Sequence, residues 1–398
     1  MLPAAGQAAA PACLESLLRS LGWQLSEAAV PQLQVEAGRP CDRATRAEAQ
    51  AAGDLRAVLS AGVDADQRRA QLQALLDHPA TTCAYAFDLG DATRRAVDRL
   101  VDNPGYRFTG LQSGWIGFGA GGPARDGWQP RVSFGRRLEP VDAPSRAVQA
   151  FYTGSVRSEC GVGRQIAQYA TQAELYGMAG FDAEFAPEEI VIGTFVQLQQ
   201  SGSILLGRNA GRFAPDGLAR KASAAGRQAF MGQPGFVTHS HPRDRLDDIN
   251  NQAQNFVVYD VDAAAAESLR RRGGFDYFNR RNERVWELSR QVSRDHINKP
   301  FQRLLLDDDA RAWRQLNDDD VAIVREIRHL LDDPYYHGFR IYVHDRDARP
   351  VRYHLVRMLD INPRTPFEVQ LSLSNLHTTL MQRWFAHRLR ACAAAPEA

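Results

Sequence analysis

Among five cysteines and ten histidines, one cysteine has a setting suited to nucleophilic chemistry. Cys160 follows Glu159 and precedes Gly161-Val162-Gly163; after these, Arg164 to Tyr176 carries apolar residues at helical spacing. A thiol at a helix N-terminus feels the positive end of the helix dipole and the unpaired amide N–H groups there. Both favour the thiolate, the reactive form. The same amides suit the oxyanion of an attacked carbonyl, and the glycines let that carbonyl approach the backbone. A buried, inert cysteine at a helix start is the commoner occurrence, so position alone does not assign the role. Cys13, Cys41, Cys83 and Cys392 lack such surroundings and read as structural or surface residues.

A second constellation is His239-Ser240-His241. In a strand, His-x-His places both imidazoles on one face, which suits a general base or the start of a metal site. Compared with the metallo-β-lactamase spacing His-x-His-x-Asp-His, Arg243 stands at the Asp position, Asp244 is one residue late and no His follows. A metal would need ligands from elsewhere, such as Asp247, His337 or His344. No metal or other cofactor is therefore expected. His239 and His241 are candidate bases for Cys160, against the plain alternative of surface or hydrogen-bonded histidines. His344 and His354, in expected strands, and His377 and His387, in the last helix, read as structural or surface residues. The run GFGAGG at 117–122 lacks the following Gly-Lys-Ser/Thr of a phosphate-cradling loop.

The elements around these residues follow from pattern. Residues 1–12 are rich in Ala, Pro and Gly, and 13–105 read as mainly helical, including LESLLRSLGWQL and DATRRAVDRLVDN. Residues 106–144 are glycine-rich loop. Helices are expected at SRAVQAFYTG and from Cys160, then strands at EEIVIGTF, GSILLG, GQPGFVTHSH and QNFVVYDV, then helix at AAAAESLRRR. Residues 281–335 read as helical. Three strands follow, FRIYVHD, VRYHLVRMLD and FEVQLSL, and SNLHTTLMQRWFAHRLRA closes as a helix.

The composition is that of a globular chain of two or three domains, with 44% hydrophobic and 24% charged residues. A net charge of +1 and the lack of basic runs interleaved with aromatics argue against nucleic-acid binding. The odd, widely spaced cysteines argue against a disulfide framework or zinc ribbon. No run of about 18 apolar residues appears, and the N-terminus lacks the basic and Leu-rich regions of a signal peptide. The expectation is a cytoplasmic chain as synthesised, with no membrane partner; export would need a dedicated secretion machine. Lys221 and Lys299 are the two lysines. GC-rich coding explains this most simply; an enzyme using lysine as acyl acceptor would also gain by having few to self-crosslink.

The stretch SECGVGRQIAQYATQAELYGMAGFDAEF resembles the Glu-Cys helix segment of bacterial spore-coat-type protein-glutamine γ-glutamyltransferases (transglutaminases). The shared features are Glu159-Cys160, a helix ending at Gly177, and the Phe181 and Phe185 pair, with IVIGTF next. SRAVQAFY resembles the helix leading into the family's cysteine. HPRDRLDDINNQAQNFVVYD fits the family's next strand without a gap, with Pro242 and Asn255 in register. The similarity spans about residues 145–280. It implies an α+β fold with a papain-like transglutaminase core, in which a central helix bearing the cysteine packs on an antiparallel sheet. The implied organisation is an Ala-rich tail and helical domain over 1–105, the catalytic core over 106–280, and a helical and β-strand extension over 281–398.

Carried over by residue, Cys160 resembles the family nucleophile and Glu159 the adjacent assisting acid. The family's second acid falls on Gln254, which cannot act as a base but could orient a neighbour or donate to an oxyanion. The family's later His, after a Tyr-Phe pair, is replaced here: Tyr277-Phe278 is followed by Asn279 and Arg280. Three accounts follow: His239 or His241 has taken over as base, Glu159 suffices, or the chain is an inactive relative. The implied function is acyl transfer. Cys160 attacks a glutamine carboxamide of a protein substrate, releases ammonia, and passes the thioester to a lysine or other amine (crosslinking) or to water (deamidation). The alternatives are a non-catalytic binding or assembly module on a degenerate papain-like scaffold, and a metal-dependent hydrolase built on His239 and His241.

Overall fold

The computed structural model describes residues 23–27, 33–37, 66, 70, 73–76, 79–108, 127–132, 136–193, 198, 201–205, 227, 230–239, 252–292, 299–307, 310–343, 347–361, 367–371 and 376–394. The first described elements form an antiparallel hairpin, β1 (Trp23–Glu27) and β2 (Leu33–Ala37), paired from Trp23↔Ala37 to Glu27↔Leu33. A helix was expected through Leu25. Both segments, WQLSE and LQVEA, alternate apolar and polar residues, and the period of two prevails over the leucine-rich run before Gly22.

Helix α1 (Pro79–Val101) leads into β3 (Tyr106–Phe108), and a second hairpin, β4 (Trp128–Val132) with β5 (Arg136–Pro140), leads into α2 (Pro144–Thr153). Pro144 stands in the first turn of α2, where its missing N–H costs nothing. β6 (Val156–Ser158) pairs in parallel with β3, and α3 (Cys160–Tyr176) begins two residues later. α4 (Met178–Glu184) follows.

The central sheet is antiparallel, in the order β10-β9-β8-β7-β11. Its strands are β7 (Pro234–His239), β8 (Gln252–Val261), β9 (Phe339–Tyr342), β10 (Arg349–Pro350) and β11 (Phe367–Leu371). Between β8 and β9 come α5 (Ala263–Arg272), α6 (Phe275–Ser289), α7 (Lys299–Leu306), α8 (Ala310–Trp313), α9 (Asp318–Leu330) and α10 (Pro334–Gly338). α11 (Val351–Ile361) joins β10 to β11, and α12 (Leu376–Ala394) is the last described element.

Alternation along β8 gives the sheet two apolar faces. Val257, with Tyr342 of β9, joins the buried residues of α1, α2, α3 and α12. Phe256 and Val258, with Val237, Ile341 and Val369, join those of α5, α6, α9, α10 and α11. The chain is thus mixed helix and strand, with the sheet between two helical layers. The boundary expected at 280 runs through this sheet, because β9, β10 and β11 complete it and α12 packs in the core of α1 and α3.

Three expected strands are not strands over their described residues. VRYHLVRMLD is helix α11. Its first five residues alternate as a strand would, but the buried residues are Val351, His354, Leu355, Val356, Met358 and Leu359, a three-and-four spacing with Val356 widening the buried face. In EEIVIGTF, Pro187–Glu189 is a 3₁₀ turn and Ile192 makes one isolated bridge, to Leu138. Ile190, Val191 and Ile192 are all buried, so the run fills the core instead of lining a sheet. GSILLG is a turn at residues 204–205. The described part of the 13–105 region is otherwise helical. Among the described residues no helix is long and apolar enough to cross a membrane.

Candidate active site

Cys160 is placed by the strand before it and the cap on its own helix. β6 ends at Ser158, whose buried hydroxyl lies 2.8 Å from Tyr106 Oη on the paired strand. Glu159 is extended, with φ −88° and ψ 177°, and its buried carboxylate caps α3: Gly161 N donates to Oε2 at 2.6 Å and Val162 N to Oε1 at 2.7 Å. A Cβ at position 161 would stand 2.9 Å from Glu159 Oε1, so glycine there lets the carboxylate fold over the helix end. The amides expected to serve an oxyanion are thus taken by Glu159.

Further along α3, Gln165 exchanges two hydrogen bonds with Gly193, at 2.8 and 3.0 Å. Tyr169 Oη donates to Val191 O at 2.6 Å and accepts from Val191 N at 3.0 Å. These side chains do for residues 191–193 what a strand partner would have done, and they fix α3 against the segment that follows it.

The Cys160 thiol is half-buried. Asn255 Nδ2, on β8, donates to its Sγ at 3.5 Å. Asn255 pairs in register with Phe236 of β7, and the Arg164 guanidinium lies 4.6 Å from the centroid of the Phe236 ring. Arg164 is one helical turn from Cys160, on the same face of α3. Cys160, Glu159, Arg164, Phe236 and Asn255 therefore form one cluster. Asn255 and Arg164 were not among the expected site residues. Asn255 was visible as an in-register position of the later strand, and Arg164 as the i+4 neighbour of the cysteine.

The electrostatics differ from the helix-dipole expectation. Burial, then the negative charge of the adjacent Glu159, push Cys160 up to about 11; the side-chain amide and backbone of Asn255 pull the other way. The resting state is the thiol. Burial lowers Arg164 to about 10, opposed by the charges of Cys160 and Glu159.

The other expected residues are placed differently. Gln254 precedes Asn255 in β8 and projects to the opposite face, where its Oε1 accepts from His354 Nδ1 of α11 at 3.2 Å. It is not a partner of the sulfur. His239 closes β7, opposite Phe367; its side chain, and the whole of His241, lie outside the described residues. Asn279, where the resemblance leads to a His, clips α6 to β11: its Oδ1 accepts from Val369 N at 2.8 Å and its Nδ2 donates to Val369 O at 3.2 Å. Among the described residues no group of three or more His, Cys, Asp or Glu side chains is placed to hold a metal ion. No family model, no curated protein and no solved structure matches the chain.

Proposed function

We propose that the chain is a cysteine-nucleophile acyltransferase of the protein-glutamine γ-glutamyltransferase kind, with a papain-like core and Cys160 and Glu159 as its working dyad. The observation that carries this reading is the pairing at the start of α3: a half-buried thiol 3.5 Å from the Asn255 amide, next to the buried Glu159 carboxylate that caps the same helix. A thiol whose pKa lies near 11 needs a base to attack, and the adjacent carboxylate is that base. Sulfur attacks the γ-carboxamide carbon as the thiol proton passes to Glu159. The tetrahedral intermediate collapses, the C–N bond breaks, and the nitrogen leaves as ammonia with that proton. A lysine amine then resolves the thioester to an isopeptide, or water resolves it to glutamate. The resemblance of the Glu159-Cys160 segment to the spore-coat-type enzymes supports the same reading.

One observation favours a second reading, a binding or assembly module on the same scaffold: the thiol is held protonated, and Gln254 is turned toward His354. A single assay separates the two. Under the first reading a fluorescent amine enters casein, and Cys160→Ala abolishes incorporation. Ammonia release without amine incorporation assigns deamidation. Neither product from folded protein removes the glutamine reading.

A further inference from the structure

Helix α3 begins with three of its N-terminal amides occupied. Gly161 and Val162 donate to the Glu159 carboxylate, and Gly163 N donates to the Glu159 carbonyl at 2.8 Å. An oxygen that gains charge beside Cys160 therefore finds these three amides taken.

One donor touches the sulfur, and three further links bring a second into the same cluster. Asn255 Nδ2 reaches Sγ at 3.5 Å. Asn255 faces Phe236 across the β7–β8 ladder. Phe236 carries the Arg164 guanidinium at 4.6 Å. Arg164 returns to Cys160 over one turn of α3.

The bonding state of Arg164 sets it apart. Its Nε is buried without a hydrogen-bond partner, and it makes no hydrogen bond or ion pair with any described residue. Four other arginines have a buried, unpartnered Nε, namely Arg137, Arg227, Arg281 and Arg352. Each of those uses another guanidinium nitrogen, on Glu139, Asp260, Leu330 O and Leu305 O respectively. A buried N–H without an acceptor is unfavourable in a resting protein, and the planar fork of a guanidinium matches an oxygen anion.

We propose that Arg164 and Asn255 together form the oxyanion hole of Cys160, in place of the helix amides. The inference rests on the reading of Cys160 as an acyl-transfer nucleophile, not on glutamine as the substrate. The sulfur electron pair forms the S–C bond and the carbonyl π pair moves onto oxygen, where an Arg164 N–H and the Asn255 Nδ2–H receive it. On collapse that pair returns and the bond to the leaving group breaks. The proton taken from the thiol by Glu159 goes to an amine leaving group; a nitrophenolate leaves without it.

Two reactions of the same sulfur test this on the full chain. Acetylation by p-nitrophenyl acetate passes through an oxyanion. It is followed by nitrophenolate release and by acetyl mass on the Cys160 peptide. Alkylation by iodoacetamide displaces iodide at a saturated carbon and forms no oxyanion. Arg164→Lys keeps the positive charge beside the sulfur and loses the fork. It should slow acetylation about tenfold to a hundredfold and leave alkylation within about twofold. Asn255→Ala should slow acetylation by more than it slows alkylation. If Arg164→Lys misfolds by circular dichroism, Arg164→Gln is read by the same ratio of rates. Equal slowing of both reactions overturns the inference, because only thiolate formation is then affected. A wild-type Cys160 that is alkylated but not acetylated overturns the inference and the acyl-transfer reading together. A selective loss of acetylation with no glutamine product from casein upholds the inference and removes the glutamine reading alone.

Discussion

Gln254 and Asn255 follow one another along β8 and serve opposite faces of the sheet. Asn255 donates to Cys160 Sγ at 3.5 Å, while Gln254 Oε1 accepts from His354 Nδ1 at 3.2 Å on helix α11. The strand's period of two imposes this division. An acid at position 254 would therefore meet an imidazole, not the sulfur. Gln254→Glu should leave the iodoacetamide alkylation rate of Cys160 within about twofold at pH 8, the scale on which an uncoupled site acts. A change of fivefold or more would place residue 254 against the thiol.

The pH dependence of Cys160 alkylation follows from its charge environment. With the thiol pushed up to about 11, the thiolate fraction, and with it the rate, should climb about tenfold per pH unit from 7 to 10 and level off above 11. Glu159 raises the value, so Glu159→Gln should move the midpoint down and speed alkylation at pH 8 by about threefold to tenfold. Asn255 lowers it, so Asn255→Ala should move the midpoint up and slow alkylation. Shifts of the same sign in both variants would contradict the arrangement around the sulfur.

Much of this site was legible in the sequence because its signals are local. Glu159-Cys160 before Gly161-Val162-Gly163 marks a capped helix start, and α3 begins at Cys160. The alternating runs around Phe236 and Phe256 mark β7 and β8. Long-range pairings were not legible. The capping carboxylate consumes the amides that a bare helix start would offer, and no spacing rule says where a cap's lone pairs point. His354 was read in a strand because V-R-Y-H-L fits both periods; burial every three and four residues, seen in the fold, settles it as helix. Arg164 and Asn255 meet through Phe236, and strand register across the unlike segments before and after residues 240–251 cannot be read from either alone.

Asn279, where the sequence resemblance leads to a His, is put to structural use. Its amide makes two hydrogen bonds to the Val369 backbone, tying edge strand β11 to α6. Asn279→Ala leaves both backbone groups of Val369 without that partner. It should lower unfolding stability by about 1 to 3 kcal/mol, read from the urea midpoint at unchanged slope. Cys160 alkylation should change by less than about threefold, since Val369 pairs with Val237, which stands in register with Gln254 and not with Asn255.

The last described helix is held by one carboxylate. Glu184, at the end of α4, accepts from Arg383 Nε at 2.6 Å, from His387 Nδ1 at 3.1 Å and from Arg390, and its side chain is 6% exposed. Arg383 also donates to both oxygens of Glu189, at 2.7 and 2.9 Å, and lies over the Phe185 ring. Removing one partner of a buried pair strands the other charge, at about 3 to 5 kcal/mol. The arginines here are partly exposed, so Glu184→Gln should cost about 2 to 3 kcal/mol, measured by urea unfolding. Burial raises the Glu189 carboxyl, but its Arg383 hydrogen bond and the Ala186 amide lower it further, to a net value below the ordinary range. A group depressed on folding stabilises above its unfolded pKa, so the Glu189 share is complete above about pH 5 and fades as pH falls below the ordinary carboxylate range. Glu189→Gln should flatten that acid limb, and an unchanged limb would place the acid sensitivity in other carboxylates.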